Sequence, residues 1–163
     1  MYNNYDMKNK ELLIEFLDIA KPIIRNPKFR ELKKYNHHGG ISIRRHVLCA
    51  AYLCYLKGKK CKKINLNELV KGALLHDYYL YDWHLRSSHK GLHGFNHPRI
   101  ACNNAINDFS LTEREMKMII SHMWPLTFFH FPTSKEGWLL CHYDKIATIA
   151  DSKTARKIRS KRK

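Results

Sequence analysis

The sequence has few of the residues that interrupt helices. Its 163 residues include only 7 glycines and 5 prolines, below the usual combined share of roughly 12%. No segment alternates apolar and polar residues as a half-buried strand does. Long helices are therefore favoured. With 44% hydrophobic and 12% aromatic residues, the chain has enough apolar material for a core, which excludes a disordered polycation. The length predicts one domain.

Signals for disulfides and membrane spans are also lacking. The five cysteines form no C-x-x-C pair and follow no secretory signal, so reduced thiols and a cytoplasmic location are expected. The longest apolar run, residues 47–56, is too short to cross a bilayer. We therefore expect no membrane partner.

Acidic residues are scarce, and the basic excess is local. The chain has 30 Lys and Arg against 14 Asp and Glu, a formal net charge of +16. Five lysines fall within residues 57–63 and seven basic residues within 153–163. Without these two clusters the chain would carry only +4. The basicity thus belongs mainly to one connecting segment and one tail.

Apolar spacing and capping signals predict an all-α fold, a single-domain orthogonal helical bundle. The predicted helices cover about residues 7–20, 42–57, 65–79, 98–108, 113–123 and 134–153, with a short helix opening at Pro27. Two T-x-x-E capping boxes, at Thr112 and Thr133, start the last two helices. Residues 81–96 form a long loop. The predicted divisions are N-terminal helices over 1–34, a main domain over 35–152 and a basic tail over 153–163.

Two aspartates lie where the apolar pattern predicts a core. Asp77 follows Ala73-Leu74-Leu75-His76, and Asp144 lies in Leu139-Leu140-Cys141-His142-Tyr143-Asp144. An unpaired carboxylate in a core is very costly. A basic partner, a neutral carboxylic acid or a metal ion must compensate each one.

Four histidines occupy similar positions in or beside helices that must pack. They are His46, His76, His97 and His122. A single histidine of this kind is usually an ordinary packed residue. Four of them together with two core-facing aspartates favour a metal site, because imidazole and carboxylate ligands suit Fe, Mn, Zn or Co rather than Mg alone.

The ordered pattern of these residues resembles the HD-domain metal-dependent phosphohydrolase superfamily, in its six-ligand H...HD...H...H...D form. The resemblance covers roughly residues 35–151. Local motifs similar to those of small bacterial HD proteins are His38-Gly39-x-x-Ser42-x-x-x-His46, Ala73-Leu74-Leu75-His76-Asp77, Tyr81-Asp82-Trp83-His84, His93-Gly94-Phe95-x-His97-Pro98-x-x-Ala101, His122-Met123-Trp124-Pro125 and Asp144-Lys145-Ile146-Ala147. Tyr143 departs from the pattern, since many relatives have a small residue before the aspartate.

The resemblance implies an HD-type bundle with two divalent transition-metal ions, Fe or Mn first and Zn, Co or Ni as alternatives. It assigns four ligands to one ion, namely His46, His76, Asp77 and Asp144. It assigns His97 and His122 to a second ion, which Asp77 bridges. A hydroxide on such a two-metal centre attacks phosphorus. The expected activity is hydrolysis of a nucleotide-like phosphomonoester or phosphodiester.

Further residues near the implied ligands are candidates for binding and proton transfer. Besides Asp77, we expect His93 and Lys145 to act in catalysis, because an imidazole can protonate a leaving group and a lysine can stabilise phosphate. The candidate substrate-binding residues are His38, Arg86 and Arg99.

Two other interpretations stay open. The first is a basic helical nucleic-acid-binding module that uses the two lysine-rich clusters, and the second is a purely structural metal site. Structural zinc sites are usually four-coordinate with cysteine ligands, and the cysteines here lack that spacing. Within the phosphohydrolase interpretation, nucleotides, dinucleoside polyphosphates and simple phosphomonoesters all remain possible substrates.

Overall fold

A computed structural model of the chain describes the backbone of residues 4–88 and 90–160, and the side chains from residue 9 onward in these ranges except those of His38 and Arg159. Its helices are α1 (Asn4–Ile24), α2 (Pro27–Glu31), α3 (Ile43–Gly58), α4 (Leu66–Leu75), α5 (His93–Asp108), α6 (Glu113–Ser121) and α7 (Lys135–Ser160). Within these two ranges there is no β-strand, only an isolated bridge between Asn36 and Ser42. The predicted all-α class is confirmed.

Helices α3 and α4 form the centre of the core. Helix α3 packs chiefly against α4 and α7, while α4 also contacts α1 and α6. The side chains of Val47, Ala51, Leu69 and Leu74 are fully buried between these helices. Burying a side chain of the size of Leu74 stabilises the fold by about 1.5–3 kcal/mol. The central helices therefore provide a rigid base for residues at their ends.

The first and last helices are longer than the sequence predicts. Helix α1 continues through Pro22 to Ile24, because the last turn buries Ala20 and Ile23 against the core. Helix α7 continues to Ser160, beyond the predicted end near residue 153. Ala155 is buried in this extension, and its Cβ lies close to Gly39. The first residues of the predicted basic tail are thus helical and packed, while residues 161–163 lie outside the described part.

Helices α4 and α6 are shorter than expected, and each ends at an imidazole. His76 follows α4, and its Nδ1 donates to the carbonyl of Ala73 at 2.8 Å. His122 follows α6 and donates in the same way to Ile119 at 2.7 Å. Carbonyls in the last turn of a helix lack intrahelical donors, so both imidazoles satisfy helix ends. The prediction that Asp77 lies inside a helix is therefore wrong, since it lies in the turn after α4 and is still buried.

The two predicted capping boxes have different outcomes. The box at the start of α6 is confirmed, with reciprocal hydrogen bonds between Thr112 and Glu115. The prediction at Thr133 is wrong, because the start of α7 is capped by Ser134, whose hydroxyl accepts a hydrogen bond from the backbone N–H of Gly137 at 3.0 Å. Glu136 instead accepts a hydrogen bond from the backbone N–H of Asn65.

Helix α5 begins five residues before the predicted start. It opens at His93, so Pro98 lies inside it rather than at its first position. The connection from α4 is nearly as long as predicted, because α4 also ends earlier, and it contains a 3-10 turn at Arg86–Ser88. Gly91 has a φ of 72°, a conformation that glycine adopts readily, just before the chain enters α5. The earlier start places His93 and His97 one turn apart on the same helix.

Candidate metal centre

The six predicted ligands lie together in the interior. His46 comes from α3, His97 from α5 and Asp144 from α7, while His76, Asp77 and His122 follow the ends of α4 and α6. All six side chains are buried. Elements far apart in the sequence thus bring imidazoles and carboxylates to one place. Five of the six, all but His97, belong together with His37 to buried groups that could hold a metal ion.

All four imidazoles are oriented by a partner on the outer side of the ring. The Nδ1 atoms of His76, His97 and His122 each donate to a backbone carbonyl, at 2.7 to 3.0 Å. The Nδ1 of His46 lies 2.9 Å from a carboxylate oxygen of Asp151. Metal-ligating histidines characteristically donate their second N–H to a carbonyl or carboxylate. This arrangement leaves the Nε2 atoms facing one another across the cluster.

One group of ligand atoms gathers around Asp144. Its Oδ1 lies 3.0 Å from His46 Nε2 and 3.4 Å from His76 Nε2. The Oδ2 of Asp77 lies 3.6 Å from His76 Nε2 and 3.8 Å from His46 Nε2. These four residues are the set that the family resemblance assigns to one ion.

A second group gathers around the other oxygen of Asp77. Its Oδ1 lies 3.2 Å from His97 Nε2 and 3.6 Å from His122 Nε2. The two Nε2 atoms are only 2.9 Å apart. The two oxygens of Asp77 therefore face different groups of imidazoles, as the oxygens of a bridging carboxylate do.

The nitrogen and oxygen lone pairs of the cluster face one another, which is favourable with a cation between them and unfavourable without one. A neutral imidazole whose Nδ1–H is donated to a carbonyl presents a lone pair at Nε2. His97 and His122 thus direct two lone pairs at each other, which is unfavourable unless a proton or cation lies between them. Two ligands at right angles, each ~2.1 Å from a shared ion, are about 3 Å apart. In the described part of the chain, His76 Nε2 and Asp77 Oδ1 are also buried without a hydrogen-bond partner.

The cluster keeps its carboxylates ionised. Burial acts against this, but the surrounding imidazoles, His76 first for Asp77 and His46 first for Asp144, hold the pKa of both carboxyls well below the usual range. Burial opposes charge on His46 as well, yet hydrogen bonds to Asp144 and Asp151 raise its pKa to about 10. Burial, with His76 and His97 nearby, lowers the pKa of His122 to about 3. The carboxylates are thus compensated by charge on neighbouring imidazoles, a role that a bound cation would take over as those imidazoles lose their protons.

Two residues of the cluster were missed by the sequence analysis. Asp151 is buried and orients His46, as described above. His37 is also buried, with its Nε2 3.5 Å from Asp77 Oδ2 and its ring stacked 3.8 Å from that of His46. Asp151 lies two helical turns after Asp144, a spacing that would have placed both on one face of α7. The His37-His38 doublet was a signal too, but the prediction chose His38, whose side chain lies outside the described residues.

A cavity of about 820 Å³ opens above the cluster. Its lining includes four residues of the cluster floor, namely Asp77, His97, His122 and Asp144. Its walls are mostly apolar and include Trp83, Met123, Pro125, Leu126 and Ile149. A ligand in this cavity would have a polar or anionic end at the cluster and an apolar body against the walls.

Two of the predicted catalytic residues besides Asp77 line this cavity. His93 stacks between Trp83 and His97, at centroid distances of 5.1 and 4.5 Å. Its Nδ1 lies 2.8 Å from the hydroxyl of Tyr81. Lys145 directs its Nζ toward the end of α6, where it donates to the carbonyl of His122 at 3.2 Å. Both residues therefore have fixed positions beside the cluster.

The predicted substrate-binding arginines do not line the main cavity. Arg86 lines a neighbouring hollow that shares Trp83 and His93 with it. Arg99 lines a different hollow, beside Phe95 and Thr127. Residues two apart on a helix point about 200° from each other, so Arg99 faces away when His97 faces the cluster.

The cysteines take no part in the cluster. All five are free thiols, and within the described ranges none belongs to a candidate metal-binding group. The ligand set of imidazoles and carboxylates is unlike that of a cysteine-based structural zinc site.

Among the residues that the structure describes, no helix is both long and apolar enough to cross a bilayer.

Comparisons with known proteins do not assign a function, which therefore has to be argued from the site itself. No protein-family model matches the chain, and it has no match among curated proteins or solved structures.

Proposed function

We propose that the protein is a metal-dependent phosphohydrolase of the HD type, which cleaves a nucleotide-like phosphomonoester or phosphodiester. One observation carries the proposal. Four outwardly anchored imidazoles and two ionised carboxylates converge, with ligand atoms 2.9–3.8 Å apart, at the floor of an open cavity. A purely structural site would be closed, whereas this cluster forms part of a cavity wall.

Two ions are proposed, held by the two groups of ligands already described. His46, His76 and Asp144 would hold one, His97 and His122 the other, and Asp77 would bridge them. Mixed imidazole and carboxylate ligands suit Fe and Mn, with Zn, Co or Ni as further candidates. When bound, such a pair activates water at neutral pH and stabilises the oxygens of an in-line displacement at phosphorus.

Two other side chains supply binding and proton transfer in this proposal. Lys145 is anchored to the carbonyls of His122 and Cys141, so its positive charge stays at the cavity wall, where it attracts a phosphate group. His93 has its Nδ1 engaged with Tyr81. This contact holds the ring beside the cluster, where an imidazole can give a proton to the leaving oxygen.

The apolar walls support a nucleotide-like substrate. An aromatic base or another flat apolar group would contact Trp83, Leu126 and Ile149 while the phosphate reaches the cluster. A simple sugar phosphate would leave these walls in contact with water. Ligand sites commonly combine such apolar walls with a few convergent polar groups.

The proposal is tested by metal content and by activity. Protein supplied with Mn or Fe(II) should contain close to two ions per chain by elemental analysis. It should hydrolyse at least one compound in a screen of phosphomonoesters, phosphodiesters, nucleotides and dinucleotides. Asp77→Ala should lower kcat by more than about a hundredfold, since loss of a ligand costs more than loss of a residue that only orients one.

Asp82→Ala is the matched control, because Asp82 lies five residues away and pairs with His84 outside the cluster. It should keep most of the activity. A protein that takes up no metal, or an Asp77→Ala variant with unchanged turnover, would contradict the proposal.

A nucleic-acid-binding function is the second candidate, and the shape of α7 favours it. This helix carries Lys153, Arg156 and Lys157 beyond the cluster on a continuous rod. Removing residues 156–163 leaves Asp151 and Ala155 in place. This truncation should weaken retention of nucleic acid and its dependence on salt, while hydrolysis of a small phosphoester stays nearly unchanged. Loss of hydrolysis together with retention of fold would instead place the end of α7 in the active site.

A further inference from the structure

Two of the segments that line the cavity contain no acidic residue. Residues 83–107 and 116–135 include no aspartate or glutamate, although the chain as a whole has 14. They supply Trp83, Gly94 and Leu126 to the cavity lining. The same segments carry five basic residues: Arg86, Lys90, Arg99, Lys117 and Lys135.

Large apolar side chains stand exposed in these same segments. The exposed fraction is 70% for Leu92, 69% for Phe128, 90% for Phe129 and 58% for Phe131. Contiguous exposed apolar surface in a folded protein marks an interaction site. We use the name apolar rim for six exposed residues: Leu92, Phe95, Leu126, Phe128, Phe129 and Phe131.

One member of the apolar rim, Leu126, lines the main cavity, and the others lie on the two segments beside it. A methyl group placed on Gly94 would lie 3.1 Å from Leu126 Cδ2, so the start of α5 touches the loop after α6. Phe95 shares a hollow of about 250 Å³ with His130 of that loop. Phe129 and Phe131 line the next hollow, again with His130. The rim residues thus follow the start of α5 and the loop after α6, beside the cavity.

Basic side chains border the apolar rim. Arg86 lines a hollow together with Leu92, and Arg99 lines the hollow that contains Phe95. Both arginines are exposed. The acid that shares the hollow of Phe129 and Phe131 is Glu113, which is paired with Lys117 at 2.7 Å. The surface is therefore positive beside Leu92 and Phe95, and the charges beside Phe129 neutralise each other.

We propose that the apolar rim docks the cavity mouth onto the surface of an anionic lipid bilayer. Exposed phenylalanines and leucines enter the boundary between headgroups and acyl chains, while arginines beside them attract anionic headgroups. The sequence-based expectation of no membrane partner rested on the lack of a spanning segment, and docking of this kind needs none. It is also independent of catalysis.

Two other occupants fit the surface less well. A second copy of the chain placed on the same face would bring like charges together. A single-stranded nucleic acid would use aromatic rings for stacking, but Leu92 and Leu126 offer no ring. Charge complementarity together with aliphatic exposure therefore favours lipid.

Sedimentation with vesicles tests this proposal on the full chain. Wild-type protein should co-sediment with vesicles of equal parts phosphatidylcholine and phosphatidylglycerol, and far less with phosphatidylcholine alone. The double variant Phe128→Ser/Phe129→Ser should lower binding by about tenfold or more, because two large apolar groups are lost. Leu13→Ser/Ile14→Ser is the matched control, since both residues are exposed on α1, away from the rim, and it should bind like wild type.

A second pair of variants separates docking through the apolar rim from the general attraction between anionic vesicles and a protein with a net charge of +16. Arg86→Gln/Arg99→Gln should weaken binding more than Lys60→Gln/Lys62→Gln, which removes the same charge from the segment after α3. Equal effects of the two pairs, with no effect of the phenylalanine variant, would overturn the proposal. Absence of vesicle binding would overturn it too. The proposal would then be wrong even if the apolar rim mediated self-association or bound a single-stranded oligonucleotide.

Discussion

Asp77 is the residue on which the candidate site depends most. It is one buried carboxylate surrounded by imidazoles, and its two oxygens serve different groups of them. Such a carboxylate without compensating charge would be very costly in the interior. The five imidazoles with Nε2 atoms 3.2–3.8 Å from its oxygens belong to His37, His46, His76, His97 and His122.

Asp151 is not one of the six candidate ligands, but it fixes the orientation of one of them, His46. Its carboxylate fixes the ring of His46 from behind, at 2.9 Å, so that Nε2 faces Asp144. We expect Asp151→Ala to lower metal affinity by about 10–100-fold, as measured by competition with a fluorescent chelator. Asp151→Asn keeps a hydrogen-bond acceptor and should recover most of the affinity. Wild-type affinity in the alanine variant would mean that packing alone orients His46.

At the scale of helices, the chain uses helix ends to position its ligands. His76 and His122 each bind a carbonyl in the last turn of the helix they follow, α4 and α6. One hydrogen bond thus satisfies the helix end and fixes the direction of the ring. The rings of His76 and His122 are therefore held in place, because the helices that they follow are buried in the core on their other faces.

The starts of α6 and α7 give a direct test of helix capping. Thr112→Ala and Ser134→Ala should each lower the free energy of unfolding by about 0.5–2 kcal/mol, because each removes the side chain that accepts from the first turn. Thr133→Ala should change it by no more than about 0.5 kcal/mol, as at an ordinary exposed position. Urea denaturation of the three variants measures this. A larger loss for Thr133→Ala than for Ser134→Ala would restore the capping box expected from the sequence.

Much of the helix arrangement was predictable from the sequence, and the helix ends were less so. Apolar spacing located the central helices, and the motif at Thr112 marked the start of α6. The ends of α4 and α6 were misplaced because propensity does not show that an imidazole will take a carbonyl. That the six candidate ligands are buried was predictable, because charged and imidazole side chains in apolar segments are conspicuous. His37 and Asp151 left weaker signals, a histidine doublet and a spacing of two helical turns from Asp144, and their role depends on contacts with distant residues that the sequence does not show.

For the whole molecule, the candidate centre ties distant parts of the chain together. If metal is bound, its removal should lower the melting temperature. At free metal one hundred times Kd, binding stabilises the native state by about 2.7 kcal/mol, which for a chain of this size corresponds to about 5–10 °C. Scanning calorimetry with and without a chelator measures the difference. Asp77→Ala should show little response, and an equal response in both proteins would assign the effect to another site.

The order of the ligands along the chain has a consequence for synthesis of the protein. His46 leaves the ribosome early, with the α3 helix, whereas Asp144 and Asp151 emerge only with α7. Until then, His46 has neither the carboxylate behind its ring nor the one in front of it. A cation captured by the nascent chain would therefore meet an incomplete set of ligands. The six candidate ligands come together only once α7 has packed against α3, so any metal ion that the centre holds would meet its full set of ligands only after that contact has formed.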